Sequence, residues 1–561
     1  MRSIRVLAIV LGSVALAQVG TPAAQAQPQP QPRPAILTGQ VSGPDGAAME
    51  GVIVSANMYP STITVSVVTG ADGRYSFPAG RLESGRYFLT IRAAGFELDG
   101  DGVAQLAAGK PNNFDLKLKK AHDLAAQLTN AEWLLSFPGT DAQKKPLLAC
   151  TGCHTLERVA RSTHTADEWV PTMERMFRYA QVSTPLRPQL RAEGPGFAPP
   201  MDQMRRTASY LATINLSATP EWKYELKTLL RVTGRGTRVV ITEYGLRRLT
   251  TEPHDVILDG KGRVWYSDFG EMYFGSLDPA TGKVTEYPVP LLRKGFAEGM
   301  LDLERDRQGN FWLGVMYQGG LAKFDPTTRK FKEYPLPKQA MDGVAQVNMV
   351  TTRSDVSGKV WTNNVGHRDL YRVDIATGRM QHLEPYANLP EDSPLAGRPH
   401  AIYGLAADSQ DNAYILDFAG RWIGRIDGKT GQTTFYQTPT DNSWPRRGTM
   451  DAEDRLWFAE FGANRVAMLD TKTGAIKEWE APTPWTAPYD AIIDKNAEIW
   501  TGGMTTDRVL RIDAKSGSTV EYPMPHDTNI RRVFVDNSAT PVTFWAGSNH
   551  GAAIVKVEPL D

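Results

Sequence analysis

From Thr237 onward the chain alternates apolar and polar residues in short runs broken by turn residues, the pattern of half-buried strands. One unit reads PHDVILDGKGRVWYSDFGEMYFGSLDPATGKVTEYPVP, and its echoes follow in series. The central aromatics Trp265, Trp312, Trp361, Tyr414, Trp457, Trp500 and Trp545 recur every 43 to 53 residues. Six hairpin turns recur with them: DPATG, DPTTR, DIATG, DGKTG, DTKTG and DAKSG. A four-stranded unit at this period is a propeller blade, so residues 237–561 predict a seven-bladed β-propeller. The last unit lacks a fourth strand, and RVVITEYGL (238–246) has the pattern of one. It is expected to close blade seven and cover an otherwise open edge.

Two earlier regions differ. Residues 35–119 alternate in the same way around Pro-Asp-Gly, Asp-Gly and Ser-Gly turns, which predicts a small β-sandwich. Residues 120–130 form a polar, Ala-rich linker or short helix. In residues 131–220 the apolar spacing turns helical. AQKKPLLACTGCH ends one expected amphipathic helix. Residues 166–180 form a second, with Trp169, Met173, Met176 and Phe177 on one face, and residues 201–216 a third. The fold class is therefore multidomain and mainly β: sandwich, small helical domain, propeller.

The N-terminus changes the compartment. Arg2 and Arg5 precede a short apolar core, VLAIVLGSVALAQV, and a small-x-small site at Ala24-Gln25-Ala26. This predicts a signal peptide over 1–26, followed by a Pro-rich leader over 27–34 that cannot pack. No later segment approaches eighteen continuous apolar residues, so no membrane span is expected in the mature chain, which is placed in the periplasm or outside the cell. Lys plus Arg and Asp plus Glu both number 62, with no basic block, which argues against nucleic acid as a partner.

Only two cysteines occur, and both lie in Ala149-Cys150-Thr151-Gly152-Cys153-His154. Cys-x-x-Cys-His is the attachment motif of a covalent c-type haem: two thiols meet two vinyl groups, and the next histidine supplies the proximal nitrogen. A redox dithiol would want a βαβ context, and a zinc site a second ligand pair; neither is present. For the distal iron ligand, Met176 is the first candidate and Met201 the second, with Met173, Met204 and His164 also within the region.

Three resemblances follow from these residues. GQVSGPDGAAMEGVIV, TGADGRYSF and SGRYFLTIRAAGF resemble the carboxypeptidase-regulatory-like domain, a transthyretin-like sandwich with no chemistry of its own. LLACTGCHTLERV and SYLATINL resemble the small single-haem domains of cytochrome c. PHDVILDGKGRVWYSDF and LWFAEFGANRVAMLDTKTGAIKEWEAP resemble the virginiamycin B lyase family, which implies a seven-bladed propeller and metal-dependent, ring-opening elimination with a histidine base. This chain departs from that pattern. AEFG (459–462) keeps Glu460 without a histidine two residues on, and TGGM (501–504) has no carboxylate.

Strand ends around one channel mouth gather His254 and Asp268, Glu298 and Tyr317, Asn364 and His367, His400 and Asp417, Arg447 and Glu460, Tyr489 and Asp490, and Arg531, Asn549 and His550. Histidines with carboxylates suit a divalent metal such as magnesium, or acid–base work. Electron transfer, with the propeller docking a small-molecule substrate or a periplasmic redox partner, is the leading expectation. An enzyme at the mouth, lyase-like or haem-linked, is the second. Non-catalytic binding of carbohydrate or envelope protein is the third.

Overall fold

The computed structural model describes residues 34–192, 198–217, 219–387 and 389–561. The expected signal peptide, and the leader up to residue 33, lie outside them. The protein is mainly β and multidomain. Six four-stranded antiparallel sheets follow one another between Pro253 and Pro523, with strands in sequence order. A seventh is built from Val533–Asp536, Thr543–Ser548 and Ala553–Pro559, completed by Val239–Gly245. The closing strand pairs antiparallel with the last one, from Val239 opposite Pro559 to Gly245 opposite Ala553.

The recurring residues explain the repeat. In blades one, two, five and six the indole N–H of the central tryptophan donates to an aspartate six residues earlier, at 2.8–3.0 Å: Trp265 to Asp259, Trp312 to Asp306, Trp457 to Asp451 and Trp500 to Asp494. A buried indole thereby keeps its donor satisfied while its ring fills the space between blades. In the DxxTG hairpins the aspartate accepts turn N–H groups, as Asp427 does from Lys429 and Thr430 and Asp470 from Lys472 and Thr473. The glycine takes positive φ, 74° at Gly431 and 76° at Gly474, a conformation costly for residues with a Cβ.

The sandwich is not a free appendage. The second edge of Val239–Gly245 pairs with the sandwich strand Ile63–Val68, Val240 opposite Val67 and Tyr244 opposite Ile63. One eight-stranded sheet therefore runs from blade seven into the sandwich. Val240 is fully buried in the sandwich core, and Arg81 pairs with Glu558 at 2.9 Å across the junction.

Among the described residues between them lie five α-helices: Asn130–Ser136 (α1), Asp141–Lys144 (α2), Glu157–Ala160 (α3), Ala166–Phe177 (α4) and Met201–Ile214 (α5). Capping boxes at Thr129, Thr140 and Thr165 start α1, α2 and α4. One expectation is corrected. The run into the motif is not an amphipathic α-helix: α2 is a single turn, and Lys145–Gly152 is 3-10 helix. Pro146 has no N–H to continue the α pattern. α4 and α5 also end two to three residues earlier than their apolar spacing suggested. No helix among the described residues is long and apolar enough to cross a membrane.

Candidate functional site

The 3-10 helix carries Cys150 at its third-last position and delivers Cys153 and His154 just after its end. Both cysteines are free and half-buried. Burial pushes each thiol up to about 11. A redox dithiol needs the opposite shift, because the thiolate is the nucleophile. Nδ1 of His154 lies 2.9 Å from the Thr155 carbonyl; as the donor there, it leaves Nε2 as the free lone pair. Metal-ligating histidines are commonly oriented in this way. Among the described residues the two thiols and His154 do not converge on one point as a zinc set would. The buried indole nitrogens of Trp133 and Trp169, in the same helical region, find no acceptor among the described residues. Two thiols and an oriented imidazole that do not converge on one point suit a group larger than a single small ion.

The loop holding the motif is seated on the propeller. Asn529 Nδ2 donates to the Thr151 carbonyl at 3.0 Å, and Arg531 Nη2 to the Gly152 carbonyl at 2.6 Å. Arg531 Nε also donates to Asn529 Oδ1 at 2.7 Å, so the two side chains act as one clamp. Ala131 N donates to the Thr505 carbonyl, Gln181 N to the Tyr317 hydroxyl, and Gln189 exchanges two hydrogen bonds with the Glu298 backbone. One apolar cluster joins Trp133, Leu147, Leu148 and Val182 to Phe269, Tyr403, Tyr489 and Met504. Gly299, at φ +144°, is where a Cβ would meet Val182 and the Phe269 carbonyl. The helical region thus covers the mouth that the strand ends define.

That cover changes the meaning of the polar ring. Tyr317, Tyr489 and Arg531 are docking residues rather than the lining of an open cleft. Asp268 accepts from the Glu252 and Gly270 N–H groups, and Asp417 from those of Ala401 and Ala419. These are equivalent positions in two blades, so the carboxylates tie off strand ends. Asp268 is also held by Arg248 at 2.8 Å, yet burial pushes it up to about 6. His400 lies 2.6 Å from Asp417 and stacks on Tyr386. His254 contacts Asp255 at 2.7 Å and the Tyr489 hydroxyl at 3.0 Å, with Tyr403 bonded to Tyr489 beyond. Asp255 receives a bidentate Arg447 at 2.8 and 2.7 Å. Burial pushes His254 down to about 3. Glu460 stands apart: it is fully buried with its carboxyl against that of Glu478, and burial with this neighbour pushes it up to about 8. His550 is buried facing the Gly152 carbonyl and His154, and burial beside Arg531 pushes it down to about 3; it also lines a cavity of about 690 Å³ between the sandwich, the helical region and blade seven. The opposite end of the propeller axis opens into a cavity of about 540 Å³ lined by Asp302, Glu304, Arg305, Arg353, Arg447 and Arg532. The expected metal-binding ring therefore does not assemble at the mouth. His254, His400, Glu460 and His550 occupy separate settings.

The methionine candidates also separate. Met173, like Cys150, is partly buried and packs against the apolar cluster, and Met204 is buried. Met176 and Met201 are 41% and 43% exposed. Sequence reasoning missed Asn529, Gln181, Gln189 and Thr505. Their partners lie far away along the chain, and no local pattern marks them.

Residues 390–560 match the virginiamycin B lyase family, and residues 36–119 match the carboxypeptidase regulatory-like domain. Neither match extends over residues 120–389, where Cys150, Cys153 and His154 lie. No curated protein matches the chain. Among solved structures, virginiamycin B lyase from Staphylococcus aureus is 21% identical with a TM-score of 0.48, covering 56% of this chain and 98% of that one. A streptogramin B lyase is 22% identical with a TM-score of 0.49, covering 58% and 99%.

Proposed function

We propose that the chain is an exported electron-transfer protein with one covalent c-type haem, held on the mouth of its propeller. The observation that carries this reading is the clamp of Asn529 and Arg531 on the two carbonyls between Cys150 and Cys153. The propeller grips the very residues that the attachment motif spaces. Cys150 and Cys153 would hold the haem through thioethers, and His154 Nε2 would supply the proximal nitrogen. When bound, the haem supplies one-electron chemistry, with its potential set by axial ligand and burial. The chain's own residues orient His154 through Thr155, fix the loop, and exclude water with the Trp133–Tyr403 cluster. Met173, the methionine of α4 facing that cluster, takes precedence over Met176 as the distal ligand.

The test is retention of colour. Protein matured with cytochrome assembly machinery is expected to keep its haem through acidified-solvent extraction, and the Cys150→Ala, Cys153→Ala double variant to lose it. Met173→Ala is expected to lower the reduction potential while Met176→Ala leaves it unchanged. Complete extraction of haem from the wild-type chain would refute the reading.

The family match over residues 390–560 favours a second reading, a lyase-like elimination on the propeller. Its chemistry requires a base on the substrate proton and a metal for the developing charge. Here the mouth is covered, and His254 and His400 are engaged with Asp255 and Asp417. Incubation with a type B streptogramin and magnesium is expected to leave the ring intact. Metal-dependent opening that disappears in His400→Ala would reverse the ranking.

A further inference from the structure

The rim of blade three carries a cluster that neither reading uses. Asp369 opens the strand Asp369–Asp374, and His382 lies on the next strand, Met380–Leu383, with Glu384 just beyond. The register sets Tyr371 opposite His382 and Leu370 opposite Leu383, so the following step brings Asp369 opposite Glu384. Residues two apart share a face of a sheet, which puts Asp369, His382 and Glu384 on one side. Their ligand atoms lie within 4.8 Å of one another. His382 Nε2 is 3.0 Å from Asp369, and its ring stacks on Tyr371 at 5.1 Å, which holds it in place.

The charges are unbalanced. Directly opposed carboxylates on neighbouring strands repel. Among the described residues no lysine or arginine forms an ion pair with Asp369 or Glu384. His367 stands in the adjoining turn, 2.9 Å from Asp342.

We propose that this rim binds one divalent transition metal of the zinc class, through His382 Nε2, Asp369 and Glu384, with His367 the nearest further donor. Mixed imidazole and carboxylate donors suit zinc rather than magnesium or calcium, which take oxygen alone. The metal would tie the end of the outermost strand to its neighbour, where the long connection toward His400 begins.

The experiment is a calorimetric titration of the tag-free full chain with zinc, run on the matured protein and in the Cys150→Ala, Cys153→Ala background, where neither thiols nor haem interfere. One equivalent is expected to bind. His382→Ala and Glu384→Gln are each expected to weaken it by about tenfold or more, since even outer-shell changes cost that much. Glu384→Gln keeps size and packing, so its effect is not one of folding. Cobalt(II) in place of zinc is expected to give a visible band that both variants lose. Absence of stoichiometric binding, or equal affinity in the wild type and both variants, would overturn the proposal.

Discussion

At the residue scale, the buried ionisable groups pull stability in opposite directions with pH. Burial, helped by the charges of Arg531 and Arg447 and opposed by Asp255, holds His254 down at about 3, against an ordinary 6.5. The unfolded chain therefore binds the extra proton between those values, and this residue lowers stability as pH falls from about 6.5 toward 3. Glu460 has the other sign. Its carboxyl is pushed up to about 8 from 4.5, so the folded chain keeps a proton that the unfolded chain releases. Stability from Glu460 falls as pH rises through that window. Glu460→Gln keeps the neutral shape without the titration. Its melting temperature is expected to overtake that of the wild type between pH 5 and pH 8. Parallel melting curves across that range would show that Glu460 ionises without penalty. Cys150, Cys153 and His154 stand out in the sequence because their spacing is a local pattern. The clamp does not, since Arg531 reaches Gly152 across 379 positions.

At the element scale, the repeat was readable because most blades restate the same local devices: an aspartate six residues before the indole in blades one, two, five and six, an aspartate at the hairpin, and a residue at positive φ after it, a glycine in most blades and Arg329 in blade two. The closing strand Val239–Gly245 was readable for the same reason. Its second partner was not, because nothing in Ile63–Val68 distinguishes a strand that pairs beyond its own domain from an ordinary sandwich strand. This double pairing has a consequence for shortened chains. A chain beginning at Gly236 keeps the closure with Ala553–Pro559 but bares the other edge and Val240. Burial of a valine contributes about 1.5–3 kcal/mol, and an unpaired edge invites association. A chain beginning at Leu249 loses the closure as well. Thermal stability is expected to fall in the order full chain, Gly236 start, Leu249 start, with self-association in size-exclusion chromatography rising in the same order. A Gly236 chain as stable and as monomeric as the full protein would show that the shared sheet contributes nothing.

At the scale of the whole molecule, the three parts form one assembly. The sandwich extends blade seven, and the helical region covers the mouth. The channel keeps its opening on the far face, where the arginine-lined cavity lies. Sequence reasoning placed the parts in order and located the mouth, but took its polar residues for an exposed ring. Strand-end carboxylates such as Asp268 and Asp417 and docking groups such as Tyr317 and Arg531 have the same composition as a catalytic rim; only their partners separate the cases. The central claim is that the Cys-Thr-Gly-Cys-His loop holds a haem on that covered mouth. Anomalous diffraction at the iron edge from crystals of the matured protein tests it most directly. The account predicts a single iron peak at His154 Nε2, beside the loop gripped by Asn529 and Arg531; no iron peak, or one bound away from His154, would contradict it.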